Sequence, residues 1–112
     1  MAQHMPGPWK WTDNSWAIST VYDAKWNPVA ECRINSDATE DNQDEFEAQK
    51  DANARLIAAA PELLEALKEA RDYVRQDLKN IGPCEHDVGH CVCGILSMLR
   101  RMEEAIARAE GR

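Results

Sequence analysis

Residues 56–78 read LIAAAPELLEALKEARDYVRQDL. Leu56, Ala60, Leu63, Leu67, Ala70, Val74 and Leu78 recur at steps of four, three, four, three, four and four. At about 100° per residue these positions form one narrow apolar stripe, the seam of an amphipathic helix. Pro61 interrupts it. Proline lacks the amide donor a helix interior needs, but it suits a first turn, where Glu62 follows it. Either one helix kinks at Pro61, or one helix ends near Ala59 and another starts at Pro61. Gly82-Pro83 stops the pattern.

Beyond a loop at Cys84–Gly94 the same periodicity returns. Ile95, Leu99, Met102, Ile106 and Ala109 share one helix face. Two seams of similar length pack most simply as an antiparallel hairpin. Upstream of the helices the period changes from 3.6 to 2. Trp9-Lys10-Trp11-Thr12 leads into the turn cluster Asp13-Asn14-Ser15. In the strand that follows, Trp16, Ile18, Thr20 and Tyr22 alternate with Ala17, Ser19 and Val21. After a turn at Asp23–Pro28, Val29–Ile34 reads as a third strand, with Ala30, Cys32 and Ile34 on one side.

The expected fold is therefore α+β. An N-terminal antiparallel β-meander is followed by two long antiparallel C-terminal α-helices, the first kinked or divided at Pro61. A single domain is expected over 1–112. It comprises a sheet region (1–34), an acidic loop (35–44), a helix (45–80), a Cys/His loop (81–94) and a last helix (95–110). Ser36 or Asp37 is the expected helix cap. So small a sheet has two edges and one uncovered face, so it needs helices or another chain against it.

The 112 residues carry 13 basic and 20 acidic side chains, a formal net charge of −7. Non-specific nucleic-acid binding needs a basic surface, so none is expected. Seven acids lie between Asp37 and Asp51 against a single base, Lys50. No apolar run approaches the length of a membrane span, and the N-terminus lacks the regions of a signal peptide. A cytoplasmic protein with reduced cysteines is expected.

No catalytic arrangement is visible. None of the serines lies in a nucleophile elbow, and the glycines are scattered rather than gathered into a phosphate loop. No enzyme activity and no cofactor are expected. Cys84, His86, His90, Cys91 and Cys93 supply zinc-type donors, but their spacing is compressed and matches no standard site. A connecting loop with no metal is the simpler reading.

Binding chemistry is better represented. Four tryptophans fall at 9, 11, 16 and 26. One sheet face cannot bury them all, and an exposed tryptophan offers a stacking surface for a base. Trp9 and Trp16 are the candidates. Arg71 and Arg75 lie one turn apart on one flank of the seam, a spacing at which two guanidinium groups can hold a diphosphate. The plain alternative is surface pairing with nearby glutamates. Arg33, at the end of the third strand, is a further candidate.

The segment Asp51–Leu67, DANARLIAAAPELLEAL, resembles a phrase recurring in small phage and prophage proteins. Such proteins often begin near an H-x-P-G-P-W stretch, as His4–Trp9 does here. In order of elements and length class the chain is similar to the first type of Thoeris anti-defence proteins. These are phage sponges that sequester the cyclic ADP-ribose variants made by bacterial TIR-domain immune enzymes. Some also bind cyclic oligonucleotides at a site created by oligomerisation. The resemblance implies a counter-defence protein in the cytoplasm of the infected host. It would hold a small cyclic nucleotide without cleaving it and assemble as a homo-oligomer, a dimer or trimer of dimers. Asn53, Arg55, Arg71 and Arg75 are the residues whose chemistry suits that ligand. The alternative is an acidic inhibitor that binds a host defence protein, such as a CRISPR component, directly.

Overall fold

The computed structural model describes residues 3–83 and 91–111. It shows three antiparallel strands followed by three helices. The strands are β1 (Lys10–Asp13), β2 (Ile18–Tyr22) and β3 (Pro28–Arg33). The helices are α1 (Gln43–Ala58), α2 (Ala60–Ile81) and α3 (Cys93–Ala109). The sheet is a meander in the order β1-β2-β3. The α+β class and the meander agree with the sequence reading. The long seam does not run through Pro61: α1 ends at Ala58, and α2 starts afresh at Ala60. Proline sits in the first turn of α2, where its missing amide is no loss.

The chain divides into two compact units, His4–Glu62 and a helical unit that begins at Leu63. In the first unit, α1 lies on one face of the sheet. The register sets which face that is. Trp11 pairs with Val21, Val21 with Ala30, and Ser19 with Asp13 and Cys32. These residues point toward α1. Val21, Cys32, Ala54 and Ala58 form the buried cluster, with Trp9, Trp11, Val29, Ala30 and Ile57 packed against it. Small side chains on both partners let helix and sheet approach closely, and close packing rather than bulk fills the core. Leu56 does not join the seam expected of it. It belongs to α1, whose buried positions are Lys50, Ala54 and Ala58, and it is left exposed.

A polar clamp closes the other end of this interface. Lys50 is 1% exposed, and its Nζ donates to Asp13 Oδ1 at 3.1 Å and the Ser15 carbonyl at 2.7 Å. It also pairs with Asp51 Oδ1 at 3.3 Å, and that oxygen accepts from Ser19 Oγ at 2.8 Å. A buried ammonium is tolerable only when all its donors are satisfied, and here they are. Burial works to lower the lysine pKa. The hydrogen bonds to Asp13 and Asp51 and the attraction of both carboxylates outweigh it, so the net shift is upward.

The helix start also differs from expectation. Asn42, not Ser36 or Asp37, precedes α1, and it makes no side-chain cap. Its Oδ1 instead accepts from the Thr39 amide at 2.6 Å. Asp37 is taken up in the turn begun by Asn35, which receives the Asp37 amide at 2.9 Å.

In the helical unit, Leu67, Val74 and Leu78 of α2 and Ile95, Leu99 and Met102 of α3 are half-buried, and Ile106 is fully buried. Lys68 pairs with Glu110 at 2.9 Å and Arg75 with Glu103 at 2.9 Å. From one pair to the next, α2 advances seven residues while α3 retreats seven, so the helices run antiparallel. No helix among the described residues is long and apolar enough to cross a membrane.

Candidate functional site

The loop between β2 and β3 builds the most distinctive surface of the first unit. Asp23 holds it from within. Its Oδ1 accepts the amides of Lys25 at 2.9 Å and Asn27 at 2.8 Å, and its Oδ2 accepts Asn27 Nδ2 at 3.1 Å. Its own backbone closes the turn with Asn27 O and Trp26 N. The amide of Asn27 is the largest influence on Asp23 and lowers its pKa. Burial opposes this, but the Asn27 side chain, the Lys25 amide and the Lys25 charge carry the net shift downward.

This loop forces Trp26 to φ 66°, the left-handed region that glycine or asparagine normally occupies. A β-carbon there costs about 1–2 kcal/mol. What the conformation achieves is placement. Trp26 remains 55% exposed, with its ring centroid 5.5 Å from that of Tyr22 at an interplanar angle of 55°. Lys10, the cross-strand neighbour of Tyr22, sets its Nζ 4.8 Å from the Trp26 centroid. Two aromatic rings and a cation thus gather on the sheet face turned away from α1. That combination can stack on a planar base and receive a phosphate. Sequence reasoning counted Trp26 among the tryptophans but did not choose it. The available signal was the Asp23…Asn27 spacing of a closed turn.

The other candidates are dispersed. Trp16 is 58% exposed in the β1–β2 turn. Arg33 pairs across β2 with Ile18 and bonds Glu31 at 3.1 Å. It lies on the same face as Tyr22 but four residues along β2, about 13 Å away. Trp9 is half-buried, and its indole donates to the Met5 carbonyl at 2.9 Å. Arg55 stands on the opposite side of the sheet, its guanidinium 5.7 Å from the Trp11 centroid. Asn53 is exposed on α1. Arg71 and Arg75 belong to the other unit. Arg71 bonds its neighbour Asp72 at 3.0 Å, and Arg75 bonds Glu103. Both arginines engage carboxylates, though not the glutamates the sequence suggested. Of the seven candidates, Arg33 is the one that stands on the sheet face of Tyr22, and no side-chain hydrogen bond, ion pair or ring contact joins any two of the seven among the described residues.

Cys84, His86 and His90 lie outside the described residues. Cys91 and Cys93 are exposed at the start of α3. Cys32 is a buried thiol of the first core.

Two sequence phrases meet in space. A β-carbon on Gly7 would stand 2.9 Å from Cβ of Pro61, so the Pro-Gly-Pro segment passes directly over the start of α2 and only glycine fits without a shift. Trp9 follows into the core beside Ala54 and Ala58. Gly7 and Trp9 of one phrase thus pack on Pro61, Ala54 and Ala58 of the other, all within the first unit. No curated protein and no solved structure matches the chain. A family model does, over residues 1–112: the chain belongs to the family of Salmonella phage P22 protein Y8K6.

Proposed function

We propose that this phage protein is a binding protein that sequesters a cyclic nucleotide signal of its host's immune system, of the glycocyclic ADP-ribose class, without cleaving it. The observation that carries the reading is the Lys10–Tyr22–Trp26 group, held in place by a left-handed tryptophan. Backbone strain that leaves an aromatic ring more than half exposed gains little packing in return, and such strain gathers at sites of function. The ring would stack on the adenine and Lys10 would meet the pyrophosphate. The net charge of −7 does not oppose this, because a local cation sets the field at its own site. In this proposal the protein acts in the cytoplasm of the infected cell, as a homo-oligomer.

Calorimetric titration with glycocyclic ADP-ribose, a cyclic trinucleotide and linear ADP-ribose tests it. The expected result is tight binding of one cyclic species and recovery of the ligand intact after heating. Trp26→Ala and Lys10→Ala should each weaken binding at least tenfold. Cleaved ligand, or binding indifferent to both substitutions, refutes it.

A second reading has its own observation. Asp37, Glu40, Asp41, Asp44 and Glu45 are all exposed around the start of α1. Such an acidic surface suits an inhibitor of a nucleic-acid-binding host protein. Absence of any nucleotide binding, with capture of a host defence protein lost on neutralising these acids, would favour it.

A further inference from the structure

The α2–α3 hairpin has two unlike sides. Around the half-buried seam of α2, Lys68 and Arg75 lie on one flank, while Leu63, Ala70 and Tyr73 lie on the other, at about 100° per residue. Glu103 of α3 and Glu110, which caps its C-terminus, flank the seam on one side, and Met98, Ala105 and Ala109 on the other. The Lys68–Glu110 and Arg75–Glu103 pairs join the first two flanks. In an antiparallel pair this fixes the remaining flanks on a common side. All six of those apolar residues are exposed. In this unit only Val92 and Ile106 are buried apolar residues, among those described. A hairpin with so thin a core, and with an exposed apolar side interrupted by Asp77, has the pattern of half a four-helix bundle.

Charge selects how the other half is arranged. At about 100° per residue, Asp77 lies within the apolar side of α2, between Ala70 and Tyr73, and Glu69 lies at its outer edge; Arg101 and Arg108 lie at the outer edge on α3. All four are exposed and make no ion pair among the described residues. The register of the two inter-helix ion pairs puts Asp77 level with Arg101, and Glu69 within one residue of Arg108. A two-fold axis across the helices would set α2 on its own copy, acid against acid. An axis along the helices sets α2 on the partner's α3, keeps each level and puts acid against base at both rungs.

We propose that this side is covered by a second copy of the chain, forming an antiparallel four-helix bundle in which α2 packs on the α3 of the other copy. Asp77 then meets Arg101 of the partner subunit, and Glu69 meets Arg108 of the partner subunit. The inference rests on the homo-oligomer part of the proposed function and names its surface. It does not depend on the ligand.

The test uses the full-length protein without nucleotide, in sedimentation velocity with circular dichroism as the folding control. Wild type should sediment at about twice 12.7 kDa. The variant Glu69→Arg/Asp77→Arg should be folded and monomeric. So should Arg101→Glu/Arg108→Glu. Mixed in equal amounts, the two should form a heterodimer, since each restores acid against base for the other. Tyr73→Glu, at the centre of the apolar side, should dissociate the dimer whatever the charges. Charge variants as dimeric as wild type would overturn the arrangement. A monomeric wild type would overturn the second copy itself while leaving nucleotide titration to judge the ligand reading separately.

Discussion

Replacing Lys50 by methionine keeps most of the buried stem and removes the charge. Three acceptors then lose their donor: Asp13, the Ser15 carbonyl and Asp51. Breaking a fully buried ion pair costs about 3–5 kcal/mol. Here the partners recover part of that. The Asp13 side chain is 55% exposed and rehydrates, and Asp51, at 24%, keeps its bond from Ser19. The Ser15 carbonyl keeps only the long 3.4 Å bond from the Ile18 amide. The expected loss is about 2–3 kcal/mol. A unit of this size has on the order of 3–9 kcal/mol in all, and each kcal/mol moves its midpoint by about 4–8 °C. Thermal and urea unfolding followed by far-ultraviolet dichroism should therefore show a fall of about 10–20 °C. The pH dependence has a definite sign. The Lys50 pKa is raised in the folded state, so its stabilisation is complete below the ordinary lysine value of about 10.4 and fades as pH rises through the higher folded value. Wild type and Lys50→Met should therefore converge in that alkaline limb. A loss under about 0.5 kcal/mol, the level of an ordinary surface substitution, would refute the clamp.

Trp26→Gly should leave stability within about 1 kcal/mol, because relief of the left-handed β-carbon offsets the lost ring contacts and the added chain entropy. The same substitution should abolish nucleotide binding, so a large fall in stability would assign Trp26 to packing instead. Gly7→Ala should cost about 1–3 kcal/mol, since its β-carbon meets Pro61 at 2.9 Å; an unchanged urea midpoint would deny that contact. Asp23 has a lowered pKa, so its contribution is present above the ordinary carboxylate value of about 3.9 and is lost as pH falls through the folded value. The gap in melting temperature between wild type and Asp23→Asn should accordingly close on acidification, and a gap constant from pH 7 to pH 2 would contradict the loop assignment.

The meander was legible because alternation and turn clusters coincide: Asn14-Ser15 and Asp23–Asn27 sit where the period-2 runs stop. The seam of α2 was legible down to Leu67, Val74 and Leu78. What the pattern did not disclose depends on distant partners. Ser19 and Val21 face α1 while Ile18 and Tyr22 do not, yet both sets contain apolar residues, so alternation alone could not choose the buried side. Lys50 reads as a solvated base in an acidic run, because its partners Asp13 and Ser15 lie more than thirty positions away. Leu56 fits the stripe only if the helix runs on through Pro61. Nor does a tryptophan announce a left-handed backbone; the carboxylate of Asp23 imposes it.

The placement of the two recurring phrases bears on what family membership can mean. Gly7 touches Pro61, and Trp9 reaches the core beside Ala54 and Ala58, so both phrases serve the packing of α1, the sheet and the start of α2. The group proposed for ligand binding draws on neither: Lys10, Tyr22 and Trp26 sit on strand ends and a loop held by Asp23 and Asn27. The core tolerates any residue at position 26 that accepts the left-handed backbone, and glycine would do so at less strain. In the proposed reading, fold and ligand are thus carried by separable residues. Substitutions at Gly7 and Pro61 should move stability and binding together, whereas those at Lys10 and Trp26 should move binding alone. If Lys10→Ala and Trp26→Gly instead lost stability in proportion to binding, the loop would be structure, and the search for the ligand would have to start from another surface.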